Sequence, residues 1–116
     1  MPVDLTADEF ERVVEEELDR LPAEMVDGLE NVAFVVEDRA PDGEDLLGVY
    51  DGVDLTRRGQ YGFGELPDRI VLFRLPHLAA SASAADLRDE VRTTLIHEIG
   101  HYYGMDDERL HELGWA

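Results

Sequence analysis

Phe10, Val13, Val14, Leu18 and Leu21 recur at three- and four-residue intervals, the spacing that lines one side of a helix. Glu15, Glu16, Glu17 and Asp19 are set among them, giving an acidic helix whose part is structural. Its start is marked three times over. Thr6 can cap it, Glu9 stands three residues on as the second half of a capping box, and Leu5 can pack against Phe10. Pro22 closes it.

The next apolar runs are short and β-branched. Val32-Ala33-Phe34-Val35-Val36 within Asn31 to Glu37 predicts a buried strand, Leu46 to Tyr50 a second, and Ile70-Val71-Leu72-Phe73 within Arg69 to Arg74 a third. Turn chemistry separates them: Pro41 and Gly43 in the polar stretch Asp38 to Asp45, then Asp51-Gly52, then Pro67-Asp68. The carboxylates at Glu37, Asp38, Asp42, Glu44 and Asp45 lack the alternating ligand spacing of a calcium loop and read as solvated. Leu55 to Leu66, with Gly59, Gly62 and Gly64 around Tyr61 and Phe63, lacks the strand-loop-helix setting of a phosphate-binding fingerprint and reads as a loop beside a cleft. Leu75 to Ser83 reads as a loop too, with His77 exposed in it. A long helix then begins near Ser83. Leu87, Val91, Leu95, Ile99 and Tyr102 form its core stripe, and a short helix over Asp107 to Leu113 lets Leu110, Leu113 and Trp115 seal the core.

Length and composition narrow the classes. The 116 residues, 1–116, suffice for one domain with one core. With no cysteine, disulfides and thiolate metal sites are excluded, so any metal must be held by His, Asp or Glu. A net charge of −18 repels phosphate backbones and argues against nucleic-acid binding. No apolar run approaches the roughly 18 residues of a membrane span, and the first residues show no secretory pattern, so a cytoplasmic protein with no membrane contact is expected.

The candidate chemistry sits at the end of the long helix, in His97-Glu98-Ile99-Gly100-His101-Tyr102-Tyr103-Gly104-Met105-Asp106-Asp107. A four-residue offset turns a helix by only about 40°, so the two imidazoles share a face with Cβ atoms roughly 5–6 Å apart. That separation lets both rings reach one ion at about 2.0–2.1 Å. The histidines lie beside the core stripe rather than within it, which suits ligands at the rim of a cleft. Glu98 can reach a bound water as general base. A catalytic zinc takes three protein ligands and leaves a position open. Asp107 would lie roughly 9 Å further along a continuing helix, but Gly104 can end the helix and turn the chain back. Spacing ranks Asp107 first as third ligand, with Asp106, Glu108, His111 and Glu112 also near enough.

The pattern H-E-x-x-H-x-x-G-x-x-D resembles the metzincin zinc signature with aspartate in the third place. Together with Leu46 to Gly52, Leu55-Thr56-Arg57 and Pro67-Asp68-Arg69-Ile70, it resembles the minimal zincin-like metallopeptidases, a bacterial family of about this length. The resemblance implies His97, His101 and Asp107 as zinc ligands and Glu98 as catalytic base. It further implies a peptide or protein substrate laid against an edge strand, for which the third strand is the candidate. Met105 lies inside the motif and is not the downstream methionine turn of true metzincins.

The expected fold is α+β: a small zincin-like domain with a three- to four-stranded mixed sheet against the N-terminal helix and the zinc-binding helix. The expected activity is hydrolysis of peptide bonds by a zinc-activated water, with Glu98 as base. Tyr50, Tyr61 and His77 are the candidates for a second oxyanion donor. The rival is a non-catalytic metal-binding or protein-interaction domain on the same fold.

Overall fold

The computed structural model describes residues 3–52 and 67–114. Both halves of the predicted capping box form at the first helix, α1 (Ala7–Asp19): the Glu9 amide donates to the Thr6 hydroxyl at 3.2 Å, and the Thr6 amide to the Glu9 carboxylate at 2.9 Å. Phe10, Val13 and Val14 are buried along it, as the stripe requires. Glu17, which falls at the next position of the same face, is fully buried as well and does not belong to a solvated acidic side. A single helical turn, α2 (Ala23–Val26), follows Pro22.

Three strands make one mixed sheet among the described residues: β1 (Val32–Glu37), β2 (Gly48–Asp51) and β3 (Asp68–Phe73), in the order β1-β3-β2. β1 runs parallel to β3 and β2 antiparallel to it. Alternation sends Phe34, Ile70, Leu72 and Tyr50 into the main core, while Val35, Val71, Phe73 and Val49 gather with Ala40 on the opposite face. The predicted substrate strand is therefore the centre of the sheet, with both its edges already paired. It cannot accept an added strand. The free edges among the described residues belong to β1 and β2.

The chain between β3 and the long helix is not a loop. Arg74–Ala80 forms helix α3. Pro76 is compatible because it stands in the first turn, where an amide has no partner within the helix. His77 is fully buried within it and not exposed. Its ring lies 5.4 Å from that of Phe10.

The long helix α4 (Ala84–Tyr102) starts at Ser83, whose hydroxyl accepts from the Asp86 amide at 3.1 Å. Leu87, Val91, Leu95, Ile99 and Tyr102 are buried to 1% exposure or less, packed towards α1, α3, β2 and β3. The last helix, α5 (Asp107–Glu112), buries Leu110 against it but leaves Leu113 exposed at 41%, so Leu113 seals nothing. β2 starts at Gly48, two residues later than the apolar run, and Leu46 is exposed. The glycine-rich stretch 55–66, with Tyr61, and Trp115 lie outside the described residues. No helix among the described residues is long and apolar enough to cross a membrane.

Candidate metal centre

The last turn and a half of α4 carries His97, Glu98 and His101, and their ligand atoms all lie within 4.8 Å of one another. The two imidazoles stand edge to face with centroids 4.6 Å apart, as the four-residue offset predicts. Both rings are little more than one-third exposed, whereas the Glu98 side chain is 9% exposed and turned inward beside them. One Glu98 oxygen accepts from His101 Nδ1 at 3.0 Å. That contact fixes the ring and leaves its Nε2 free. An acceptor on one imidazole nitrogen is what sets the tautomer and aim of a metal-ligating histidine.

The way α4 ends brings Asp107 to His97, but not into the cluster of ligand atoms within 4.8 Å of one another, which is His97, Glu98 and His101. Tyr103 caps the helix and Gly104 follows with φ +80°. The Gly104 amide donates to the His101 carbonyl at 3.0 Å and the Met105 amide to the Gly100 carbonyl at 3.0 Å. Those two bonds define the left-handed helix stop that glycine permits and other residues resist. Asp106 then caps α5 through its carboxylate, which accepts from the Arg109 amide at 2.8 Å. Asp107, first in α5, has Oδ1 3.3 Å from His97 Nε2, with its side chain 80% exposed. Two ligand atoms at about 2.0–2.1 Å from one tetrahedral ion stand roughly 3.3 Å apart, so the His97–Asp107 pair fits a shared zinc. Nitrogen and carboxylate oxygen donors without thiolate are also a donor set zinc accepts.

One residue that positions the site was not singled out from the sequence. A Cβ on Gly100 would stand 2.3 Å from a methyl of Leu110, so the bare glycine lets α5 lie against α4 and carries Asp107 to His97. The signal was present. Glycine inside a helix costs roughly 0.5–1 kcal/mol against alanine, and its use there points to a close approach.

The oxyanion candidates separate. His77 is enclosed between α1, α3 and α4: Nδ1 donates to the Phe73 carbonyl at 2.8 Å and Nε2 meets the Thr94 hydroxyl at 3.0 Å. Burial pushes its pKa down, against the opposing pull of the Phe73 carbonyl and the Glu90 charge, and it is a packing residue rather than a group facing the site. Tyr50 does stand near His101, but its hydroxyl donates to Asp68 Oδ2 at 2.6 Å. Tyr102 and Tyr103 tie the end of α4 to α2 and the segment after it. Tyr102 Oη accepts from the Glu30 amide at 3.2 Å, and Tyr103 Oη donates to the Met25 carbonyl at 2.8 Å.

Comparison with solved structures finds a conserved hypothetical protein from Thermo thermophilus, 26% identical, covering 94% of this chain and 97% of its own, with a TM-score of 0.58. No curated protein matches the sequence. The family model for zincin-like metallopeptidases matches residues 29–115, which takes in all three strands, the long helix and the histidine-glutamate cluster. The chain belongs to the zincin-like metallopeptidase family.

Proposed function

We propose that the protein is a zinc-dependent peptidase in which His97, His101 and Asp107 hold the metal and Glu98 is the general base. The observation that carries this reading is the inward-turned Glu98 carboxylate, with an oxygen within 4.8 Å of a ring nitrogen of each imidazole. When bound, zinc supplies a water of lowered pKa and a positive charge that polarises the substrate carbonyl. Glu98 takes the proton from the attacking water and returns it to the leaving amine, which asks one carboxylate to act first as base and then as acid. Its low exposure keeps bulk water from competing for that proton. The Glu98–His101 bond keeps the carboxylate beside the histidine pair and leaves Nε2 as the His101 nitrogen that would hold a metal.

A second reading draws on the same bond. A carboxylate that only orients His101 is what a non-catalytic metal site would contain, and it gives Glu98 a purpose without turnover. Glu98→Gln separates the two, because the amide oxygen can still accept from His101 Nδ1 but cannot serve as base. Metal content by mass spectrometry and cleavage of an unbiased peptide library are measured for the wild type, Glu98→Gln and Asp107→Ala. The peptidase reading requires near-stoichiometric zinc in the wild type and in Glu98→Gln, reduced zinc in Asp107→Ala, and cleavage only in the wild type. Zinc without cleavage in any of the three favours the non-catalytic module. No zinc in the wild type, after supply and removal of excess, ends both readings.

A further inference from the structure

Glu98 is held from a side that the metal ligands do not explain. Gly48 opens β2, and alternation puts it on the same face as Tyr50, towards α4. A Cβ on Gly48 would stand 2.6 Å from the Thr94 methyl, 2.9 Å from the Val71 carbonyl oxygen and 3.6 Å from Glu98 Cγ. The first two distances are closer than such atoms pack, so a side chain of any size would push β2 away from α4. The third gives the consequence. The space beside the Glu98 stem is closed by bare strand backbone, and it stays closed only while residue 48 has no side chain.

Thr94 supplies the other half of the contact. It stands one turn before Glu98 on the same face of α4, and both residues are buried. Its hydroxyl lies 2.9 Å from the Glu90 carbonyl and 3.0 Å from His77 Nε2. A β-branched side chain whose oxygen is held has a fixed rotamer, so its methyl keeps one place against Gly48. The buried His77 thereby has a use outside the chemistry: it anchors the residue on which β2 closes. Glu98 gains from this support. Its carboxylate is aimed by the bond to His101 Nδ1 at 3.0 Å, and confining Cγ lowers the side-chain entropy that this bond must overcome.

We propose that Gly48 and Thr94 are positioning residues for Glu98: β2 closes on α4 through their contact and so holds the carboxylate on His101. The inference rests on the peptidase reading for what the carboxylate does there, as base for the attacking water. The support itself is a matter of packing and can be read without turnover.

The test begins with the metal-free full chain at a pH where histidine is neutral. Nitrogen NMR of the imidazoles reports which His101 nitrogen carries the proton, a choice set by the hydrogen bond that the ring makes. The wild type is expected to hold the proton on Nδ1, bonded to Glu98, and Gly48→Ala to return it largely to Nε2. With zinc saturating, Gly48→Ala is expected to lower kcat on a cleaved peptide by about 10²-fold with KM unmoved, the scale of a reacting group misplaced by about 1 Å. Thr94→Ser keeps the hydroxyl, removes the methyl, and is expected to move both readouts the same way by less. Gly48→Ala added to Thr94→Ser puts a methyl back from the strand side and is expected to recover part of both. A Gly48 that serves the fold alone would lower the melting temperature and leave the His101 proton on Nδ1. That result overturns the proposal, as does an unmoved proton in Thr94→Ser should Gly48→Ala not fold, or a wild-type His101 protonated on Nε2. A proton that moves in Gly48→Ala while the wild type cuts no peptide keeps the support and removes the peptidase. Cleavage by Gly48→Ala at the wild-type kcat removes the support and leaves the peptidase.

Discussion

Two glutamates, Glu17 on α1 and Glu98 on α4, are both buried in a small acidic protein, yet they are buried among different neighbours. Glu17 is fully enclosed: Oε2 accepts from Arg88 at 3.1 Å and from Arg20 at 3.4 Å, and Oε1 lies 3.9 Å from Arg92 without a hydrogen-bond partner. Glu98 faces two histidines and bonds to one of them. Arginine is charged at every pH the protein meets, so the ring around Glu17 can neither give up a proton nor exchange its partner. It clamps α1 to α4. Histidine can be neutral, cationic or metal-bound, so the company of Glu98 can change during a reaction. A buried carboxylate among guanidiniums is therefore scaffold, and one among imidazoles is available for chemistry.

The largest expected effect separates these two directly. Glu98→Gln should lower turnover by about 10²–10⁴-fold, the contribution of a positioned base, while metal content and melting temperature hold. Glu17→Gln should do the reverse, costing about 1–3 kcal/mol of stability by leaving buried polar groups mismatched, with turnover per folded molecule retained. Rates and chemical denaturation on both variants decide it. A Glu17→Gln protein that folds stably but loses turnover as severely as Glu98→Gln would erase the distinction.

A smaller effect sharpens the comparison at the point where scaffold meets site. Gly100→Ala should weaken zinc binding by about tenfold or more, the scale seen when a supporting group is lost, because the added methyl pushes Leu110 and moves Asp107 from His97. Stability should change by only ~1 kcal/mol, since alanine's better helix propensity offsets the crowding. Competition against a chelator of known affinity, with calorimetry beside it, measures both. Unaltered zinc affinity would mean that α5 does not depend on this contact.

The smallest effect is one of pH and concerns His77, on the scaffold side. Burial lowers its pKa in the folded state, so folded His77 stays neutral where the unfolded histidine, near 6.5, takes a proton. The unfolded state then binds more protons, so this stabilisation is complete above about pH 6.5 and declines as pH falls towards the lowered folded value. In metal-free protein, the difference in melting temperature between wild type and His77→Gln should narrow from pH 7.5 to pH 5.5. A gap independent of pH would show that His77 contributes packing alone.

Much of the fold was legible where a signal extends over several turns. The stripes of α1 and α4, the Thr6–Glu9 box and the Ser83 start depend on local spacing, and local spacing is in the sequence. α3 was not legible, because seven residues with a proline carry less than two periods of any pattern and resemble a loop. The placing of β3 at the centre is a matter of partners, although its unbroken Ile70 to Phe73 run already marked a strand buried on both faces. Glu17 could have been suspected, since it follows Val13 by four residues and precedes Leu21 by four on the apolar face. At the site, the histidine pair and Glu98 come together by helical geometry alone. The approach of Asp107 depends on a turn and on Gly100, of which only Gly104 stood out in the pattern.

The connection between α4 and α5 is four residues long, 103–106, and each of them has an assigned place: Tyr103 as cap, Gly104 in the left-handed turn, Met105 bonded back to Gly100, and Asp106 as the next cap. Such a segment has no slack. One inserted residue adds up to about 3.3–3.6 Å of reach, roughly the whole separation that His97 and Asp107 would have across a shared ion. The longer polar stretch between β1 and β2, residues 38–47, is held at Asp38, Ala40 and Leu47, with exposed residues between them. Changes in chain length over evolutionary time should accumulate there and be purged from 103–106.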